Sequence, residues 1–355
     1  MIIAFYPHKD ATIYEQFPNR STESDSILEL IHDFSQQKKN NSRILLQFSN
    51  SEINEYITKY NIISASYYLK MNAVTIDEIP LDTTLEFYAV SESWTAGNGF
   101  FDSNPETTNG VSWKYRTSLD IDPWLLTGDN SKYYHVSGGG TWISESIVKK
   151  DLTDKEKDLF IDLTGIFSKY QSNEYENNGI LIKYTSSFED SQYPYSKIQY
   201  FSRNSNTVYS PKLFLIWDDS SFSTGSLTPL NLENEFVLYS KINQQYNQND
   251  TAKIRINCRP KYIQKTYSTQ SLYLKNYFLP ETTYYEVRDS VTNDVVMPLN
   301  TIGTKISCDE SGNYFLFDMR NLQQERYYKF VYKIIDNNVE LLIDPDQYFK
   351  VVRWI

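Results

Sequence analysis

Ser210-Pro211-Lys212-Leu213-Phe214-Leu215-Ile216-Trp217 runs straight into DDSSFSTGSLTP, residues 218–229. The first part holds a short β-run, Lys212 to Trp217, rich in Leu, Ile, Phe and Trp. The second is small, polar and turn-prone. The same alternation recurs along the chain. Ser42 to Phe48 (SRILLQF), Ile63 to Met71, Leu85 to Val90 and Ile180 to Tyr184 are each bounded by Asn, Asp, Ser, Gly or Pro. Many short strands at such spacing predict an all-β chain of sandwiches rather than βαβ units. Residues 218–229 separate two β-rich blocks. The expected domains are therefore 1–218 and 235–355, with 219–234 as a linker. The second block opens with Glu235 to Tyr239 and Ala252 to Ile256. It continues through Tyr284 to Val287, Asn313 to Met319 and Tyr327 to Ile335, and closes with Tyr348 to Ile355. About seven strands over roughly 125 residues suit an immunoglobulin-like sandwich. No repeat of fixed period is visible.

Helical signals are few. Ser51 is a candidate cap for a short helix in which Ile53, Tyr56, Ile57 and Tyr60 share one face. Leu152 to Leu159 (LTDKEKDL) reads as one or two turns within a loop.

Composition excludes several function classes. A length of 355 residues suggests about two domains at roughly 150 residues each. With 40% hydrophobic residues, 30 Tyr, 19 Phe and 6 Trp, there is ample surface to bury, which argues against disorder. Only 12 Gly and 12 Pro make collagen-like and linker-like chains untenable. A net charge of -11 and a pI near 4.9 argue against nucleic-acid binding, which depends on neutralising phosphates. No run approaches 18 apolar residues, so no membrane span is expected. MIIAFYPHKD lacks the basic start and long apolar stretch of a signal peptide.

The chemistry-bearing residues are sparse. His8, His32 and His135 are far apart and show no ligand spacing. Asp10, Asp102, Asn104, Asp120 and Asp122 offer oxygens of the kind Ca²⁺ takes, but the EF-hand spacing is missing, and no metal or cofactor is expected. Gly138-Gly139-Gly140 has neither the following helix nor the Lys-Ser/Thr pair of a phosphate loop. It reads instead as a backbone that needs positive φ or close approach. Trp94, Trp113, Trp124 and Trp142 could form a sugar-stacking platform, yet burial in a core or a subunit contact is the reading that residue type favours. Two carboxylates about 5–10 Å apart would be needed for glycoside hydrolysis, and 45 acidic residues identify no such pair. No catalytic residue is assigned. Cys258 and Cys308 could echo a sandwich-spanning disulfide, but no Trp lies between them.

The first block also carries patterns in a recognisable order. DATIY (10–14), FPNRS (17–21), SRILLQF (42–48), SASYYLKM (64–71) and VSESWT (90–95) come first. IDLTGIF (161–167), NNGILIKY (177–184), IQYFSRNS (198–205) and SPKLFLIW (210–217) follow. This order resembles the DNRLRE-type domain, a jelly-roll β-sandwich similar to carbohydrate-binding modules, over about residues 4–217. Further stretches resemble virion structural proteins of tailed bacteriophages, T4-like marine phages in particular. They include FYPHKD (5–10), VSESWTAGNG (90–99), SWKYR (112–116), GGGTW (138–142), KTYST (265–269), GNYF (312–315), ERYYKF (325–330) and FKVVR (349–353).

The resemblance implies a jelly-roll sandwich followed by an immunoglobulin-like one. It further implies a non-enzymatic virion component assembled in the host bacterial cytoplasm, where both cysteines would stay free thiols. A tail or neck ring protein is the preferred role, with identical subunits and neighbouring virion proteins as partners. The alternatives are a receptor- or carbohydrate-binding module on the particle surface, with a glycan as partner, and a glycan-degrading enzyme. Under the ring reading, contacts concentrate in the insertions around Phe100–Asn109, Pro123–Thr141 and Asn173–Asn178. Phe101, Trp124, Tyr133 and Tyr134 are the interface candidates.

Overall fold

A computed structural model of the chain describes residues 1–35, 37–76, 83–124, 138–152, 158–193, 197–262, 275–336 and 339–353. It is all-β. The first thirteen strands are β1 (Ile2–Phe5), β2 (Lys9–Tyr14), β3 (Ile27–Leu30), β4 (His32–Ser35), β5 (Lys38–Gln47), β6 (Ser66–Met71), β7 (Ala73–Ile76), β8 (Thr84–Ala89), β9 (Val148–Asp151), β10 (Leu159–Asp162), β11 (Ile180–Tyr184), β12 (Ile198–Phe201) and β13 (Lys212–Ile216). The rest are β14 (Thr228–Pro229), β15 (Phe236–Lys241), β16 (Gln245–Asn247), β17 (Thr251–Pro260), β18 (Tyr277–Phe278), β19 (Thr283–Asp289), β20 (Val295–Met297), β21 (Ser307–Asp309), β22 (Gly312–Asp318), β23 (Arg326–Asp336), β24 (Val339–Ile343) and β25 (Tyr348–Val352). Helices α1 (Asn50–Lys59), α2 (Thr164–Gln171) and α3 (Ser186–Glu189) are short.

The chain divides into two units: Phe5–Phe214, and Leu215–Ile355 together with Met1–Ala4. The divisions fall inside β1 and β13. Residues 219–234, expected as a linker, are built into the second unit. The Ser223 N–H donates to the Cys308 carbonyl and the Cys308 N–H to the Ser221 carbonyl, each at 2.9 Å. Next along the chain, β14 pairs in parallel with β18. The polar composition there marks bends whose backbone groups bond to a sheet. Met1–Ala4 are held by the Asn321 amide, which accepts from the Ala4 N–H at 2.8 Å and donates to the Ile2 carbonyl at 2.9 Å.

In the first unit the largest sheet runs β2-β5-β11-β8-β9, with β4 also on β5. A second runs β3-β12-β7, and β10 pairs with β6. The central strand β11 is ILIKY, buried at every residue, which is why it reads as an unbroken apolar run with a lysine inside. Helix α1 starts two residues earlier than its sequence suggests. Ser49, not Ser51, caps it, accepting from the Glu52 N–H, while Asn61 at φ 49° ends it. Ile53 and Tyr56 are the residues that it buries. Strand β6 begins at Ser66, so Ile63, expected in that strand, projects fully into solvent.

In the second unit, β15-β17-β22-β21 form one sheet and β16-β25-β23-β19-β20 another, with β24 also on β23. Period-2 alternation turns Ile254, Ile256 and Cys258 of β17 inward, and Tyr328, Phe330, Tyr332 and Ile334 of β23. The two sheets meet through rings. Phe315 of β22 stacks on Tyr285 of β19 at 4.0 Å and meets Phe330 of β23 edge-on at 5.1 Å. Both cysteines are free and buried. Burial pushes the Cys258 thiol up to about 12 and the Cys308 thiol to about 11.

Candidate interaction surface

The longest described stretch without regular structure, Ser91–Trp124, is the natural place to look for function. It leaves β8 and folds back on itself. The Thr95 N–H donates to Arg116, Val111 to Thr95 and Trp124 to Lys114, all within 3.0 Å. It also docks on the segment after β2, through bonds from Ser21 to Thr107 and from Ser24 to Gly99. Underneath lie Trp94, Trp113, Trp124 and Trp142, packed with Ala11, Ile13, Leu45 and Leu181 in one core. The Trp94 indole N–H donates to Asn178 and that of Trp124 to Ser112. These rings have no face left for a sugar. Trp124, at 3% exposure, anchors the insertion from within.

Phe101 is half-buried and likewise turned to its own chain. It lies 4.9 Å from the Tyr14 ring and edge-on to Phe17 at 5.4 Å. The Arg20 guanidinium sits over both phenylalanines and donates to the Phe101 carbonyl at 2.7 Å. The Phe101 N–H donates to the Asp25 carboxylate, whose pKa burial raises to about 6. With Phe101 pinned, its neighbour Phe100 points outward at 53% exposure. On the same insertion Leu119 is 37% and Ile121 67% exposed. Tyr133 and Tyr134 lie outside the described residues, as does most of the 123–141 insertion. The 173–178 loop is fastened within its unit: Asn177 donates to the Phe48 carbonyl and the Asn50 side chain, and accepts from Gln47.

Behind the insertion runs a chain of buried charges that the sequence reading missed. Arg43 of β5 forks onto Glu189 of α3, through Nε to Oε1 at 2.9 Å and Nη2 to Oε2 at 2.7 Å. Its guanidinium lies 4.8 Å from the Trp113 ring and 5.2 Å from Trp142. The remaining nitrogen donates to the Gly139 carbonyl at 2.7 Å. Gly139, at φ 83°, leaves the space that a Cβ would take from Arg43 and Trp113, so the triple glycine serves packing. Lys183 of β11 links Glu189 at 3.1 Å to Glu86 at 3.5 Å, and Lys149 reaches Glu86 from outside at 3.2 Å. Burial alone would raise the Glu189 carboxyl. Arg43, and then Lys183, outweigh it and hold it below the ordinary value. A signal existed in the strands: Arg43, Glu86 and Lys183 each interrupt an apolar run.

A second buried carboxylate is less well served. Asp10 accepts the Arg203 backbone N–H on Oδ2 at 2.8 Å, while Oδ1 has no hydrogen bond and the Arg203 Nε stands 3.6 Å away. Arg203 itself donates to Glu23 and to the His8 carbonyl. Burial therefore pushes Asp10 up to about 7, against the pull of the Arg203 N–H and guanidinium. A carboxyl raised by folding holds its proton longer in the native state than in the unfolded one. Its contribution to stability is full below about pH 4 and falls as pH climbs to about 7. Asp10→Asn is expected to remove that decline. Melting temperatures of variant and parent should diverge in favour of the variant between pH 4 and 7; parallel curves would refute it.

Three of the oxygen-bearing residues, Asp10, Asp120 and Asp122, are engaged with other partners. Asp120 accepts from the Tyr115 hydroxyl, and Asp122 from Arg116 and Thr117. No group of three His, Cys, Asp or Glu able to hold a metal occurs among the described residues. An open cavity of about 480 Å³ beside α1 and α2 is lined by Ile57, Ile62, Ile63, Tyr67, Gln171 and several small residues, without an acid, His or Cys. No protein-family model and no curated protein matches the chain.

Proposed function

We propose that the chain is a non-enzymatic structural component of a tailed-bacteriophage particle, present in several copies as a ring protein of the tail or neck. In this reading the unit Phe5–Phe214 is a jelly-roll sandwich and the second unit an immunoglobulin-like one. The observation that carries it is the insertion Ser91–Trp124. It is pinned by buried tryptophans and yet holds Phe100, Leu119 and Ile121 outward. A loop ordered by its own core loses little entropy on docking, which suits a contact repeated between copies. A closed ring joins one patch to a different patch on the next copy. The net charge of -11 discourages adhesion to DNA passing through a conduit. The buried acids Glu86 and Glu189 are held by cations, which suits a structural role better than acid–base work.

The test is a Phe100→Asp, Ile121→Asp variant, examined by electron microscopy of particles assembled with it. The expected result is a folded subunit missing from the particles. Particles carrying the variant at full occupancy would refute the contact. Complete particles that no longer adsorb to cells would instead favour the receptor-binding reading.

A further inference from the structure

One edge of the six-stranded sheet in the second unit is guarded along only half its length. β24 and β25 lie on the same side of β23, as two halves of one interrupted strand. Lys329 pairs with Tyr348 and Tyr332 with Ile343. Three steps on β23 thus face five on its partner, leaving two extra residues in a bulge where Asp346 takes φ 55°. Outside β25, β16 adds a parallel strand, pairing Gln245 to Asn247 with Lys350 to Val352. Outside β24 no strand follows among the described residues. Alternate residues of β24 therefore turn N–H and C=O away from β23, with no strand among the described residues to receive them.

Two other edges, β9 and β15, carry protection. β9, at one end of the first unit's largest sheet, bears Lys149 and Lys150. On β15 the Gln347 amide accepts from the Ser240 N–H at 2.6 Å and donates to its carbonyl at 3.0 Å. β24 reads VELLI, with Val339 57% and Leu342 61% exposed. Its single charge, Glu340, is drawn to Lys333 at 2.8 Å.

The geometry points to a second copy of this chain as the occupant, its β24 antiparallel to the first about a two-fold axis at Leu341. In such self-pairing, opposite residues share a face, so some residue must lie opposite its own copy. Centring on Glu340 would set two carboxylates together, and centring on Leu342 would set Glu340 against Asp344. Centring on Leu341 avoids both: Val339 meets Ile343, and Glu340 meets Leu342. The joined sheets bury the exposed valine and leucine and pair the free backbone groups. Acidic residues flank the strand, Asp336 before it and Asp344 and Asp346 after it, so salt should tighten the pair by screening them. The pairing requires no particular place for the chain in a particle.

The test is sedimentation of the full chain over a concentration series, with oxidative cross-linking of single cysteine variants. A reversible dimer is expected, tighter at high salt and weakened at least about tenfold by Leu342→Glu, which sets a second carboxylate opposite Glu340 of the copy. Leu341→Cys should give a disulfide-linked dimer, because that residue faces itself, whereas Val339→Cys should not. A chain that stays monomeric to its solubility limit would overturn the pairing. So would a dimer indifferent to Leu342→Glu, or one cross-linked equally through both cysteines. A dimer lost in the Phe100→Asp, Ile121→Asp variant but kept in Leu342→Glu would place self-association at the insertion and reject β24.

Discussion

At pH 7 the Lys212→Met variant is expected to unfold at a higher urea concentration than the parent, with a gain of roughly 2–4 kcal/mol. Lys212 sits on β13 with 3% of its surface exposed. Among the described residues no carboxylate pairs with it; the Tyr6 ring lies 5.8 Å away, and Lys70 adds a like charge. Burial, and then Lys70, lower its pKa from 10.5 to about 7. The unfolded chain therefore binds more protons than the native one between pH 7 and 10.5, and the parent gains stability as pH rises through that window. Methionine does not titrate, fills a similar volume and suits an aromatic neighbour. Its advantage should be full below pH 7 and vanish above about pH 10.5. A variant less stable than the parent at pH 7, or a gain that persists at high pH, would show that the ammonium has a partner.

The opposite sign is expected at another buried charge of the same unit. Glu189→Ala strands the Arg43 guanidinium and leaves Lys183 with Glu86 alone, both cations being buried. Removing one partner of a buried pair costs about 3–5 kcal/mol. The Arg43→Met, Glu189→Leu double variant should recover most of that loss, because no guanidinium then remains without its acid. Glu189 is held below its ordinary pKa, so its contribution is present above about pH 4.3 and is lost as pH falls further. The single variant should accordingly show a shallower acid limb in urea titrations. A loss below about 1 kcal/mol would mean that water reaches the pair.

Much of the strand pattern is local, and so could be read from residue order. β11 occupies the residues expected, and β5, β8, β13, β17 and β23 overlap their predicted runs, because β-branched, aromatic and aliphatic residues between turn formers favour a strand locally. The positive φ at Gly138 to Gly140 is equally local, since three residues without Cβ announce it. Burial is different. Arg43 and Lys183 stand in the same runs as Leu45 and Ile182, and only a strand covered on both faces turns them into interior charges. Their acid, Glu189, lies 146 residues from Arg43. Trp124 and Phe100 look alike as aromatic residues of one insertion, yet one is a core anchor and the other a surface prong. Only the neighbours folded beneath them separate the two. Tertiary pairing likewise tied residues 219–234 and Met1–Ala4 into the second unit. It also placed β16 beside β25 and left β24 without an outer strand among the described residues. A strand's own residues cannot specify that, because the partner of an edge is chosen elsewhere in the chain.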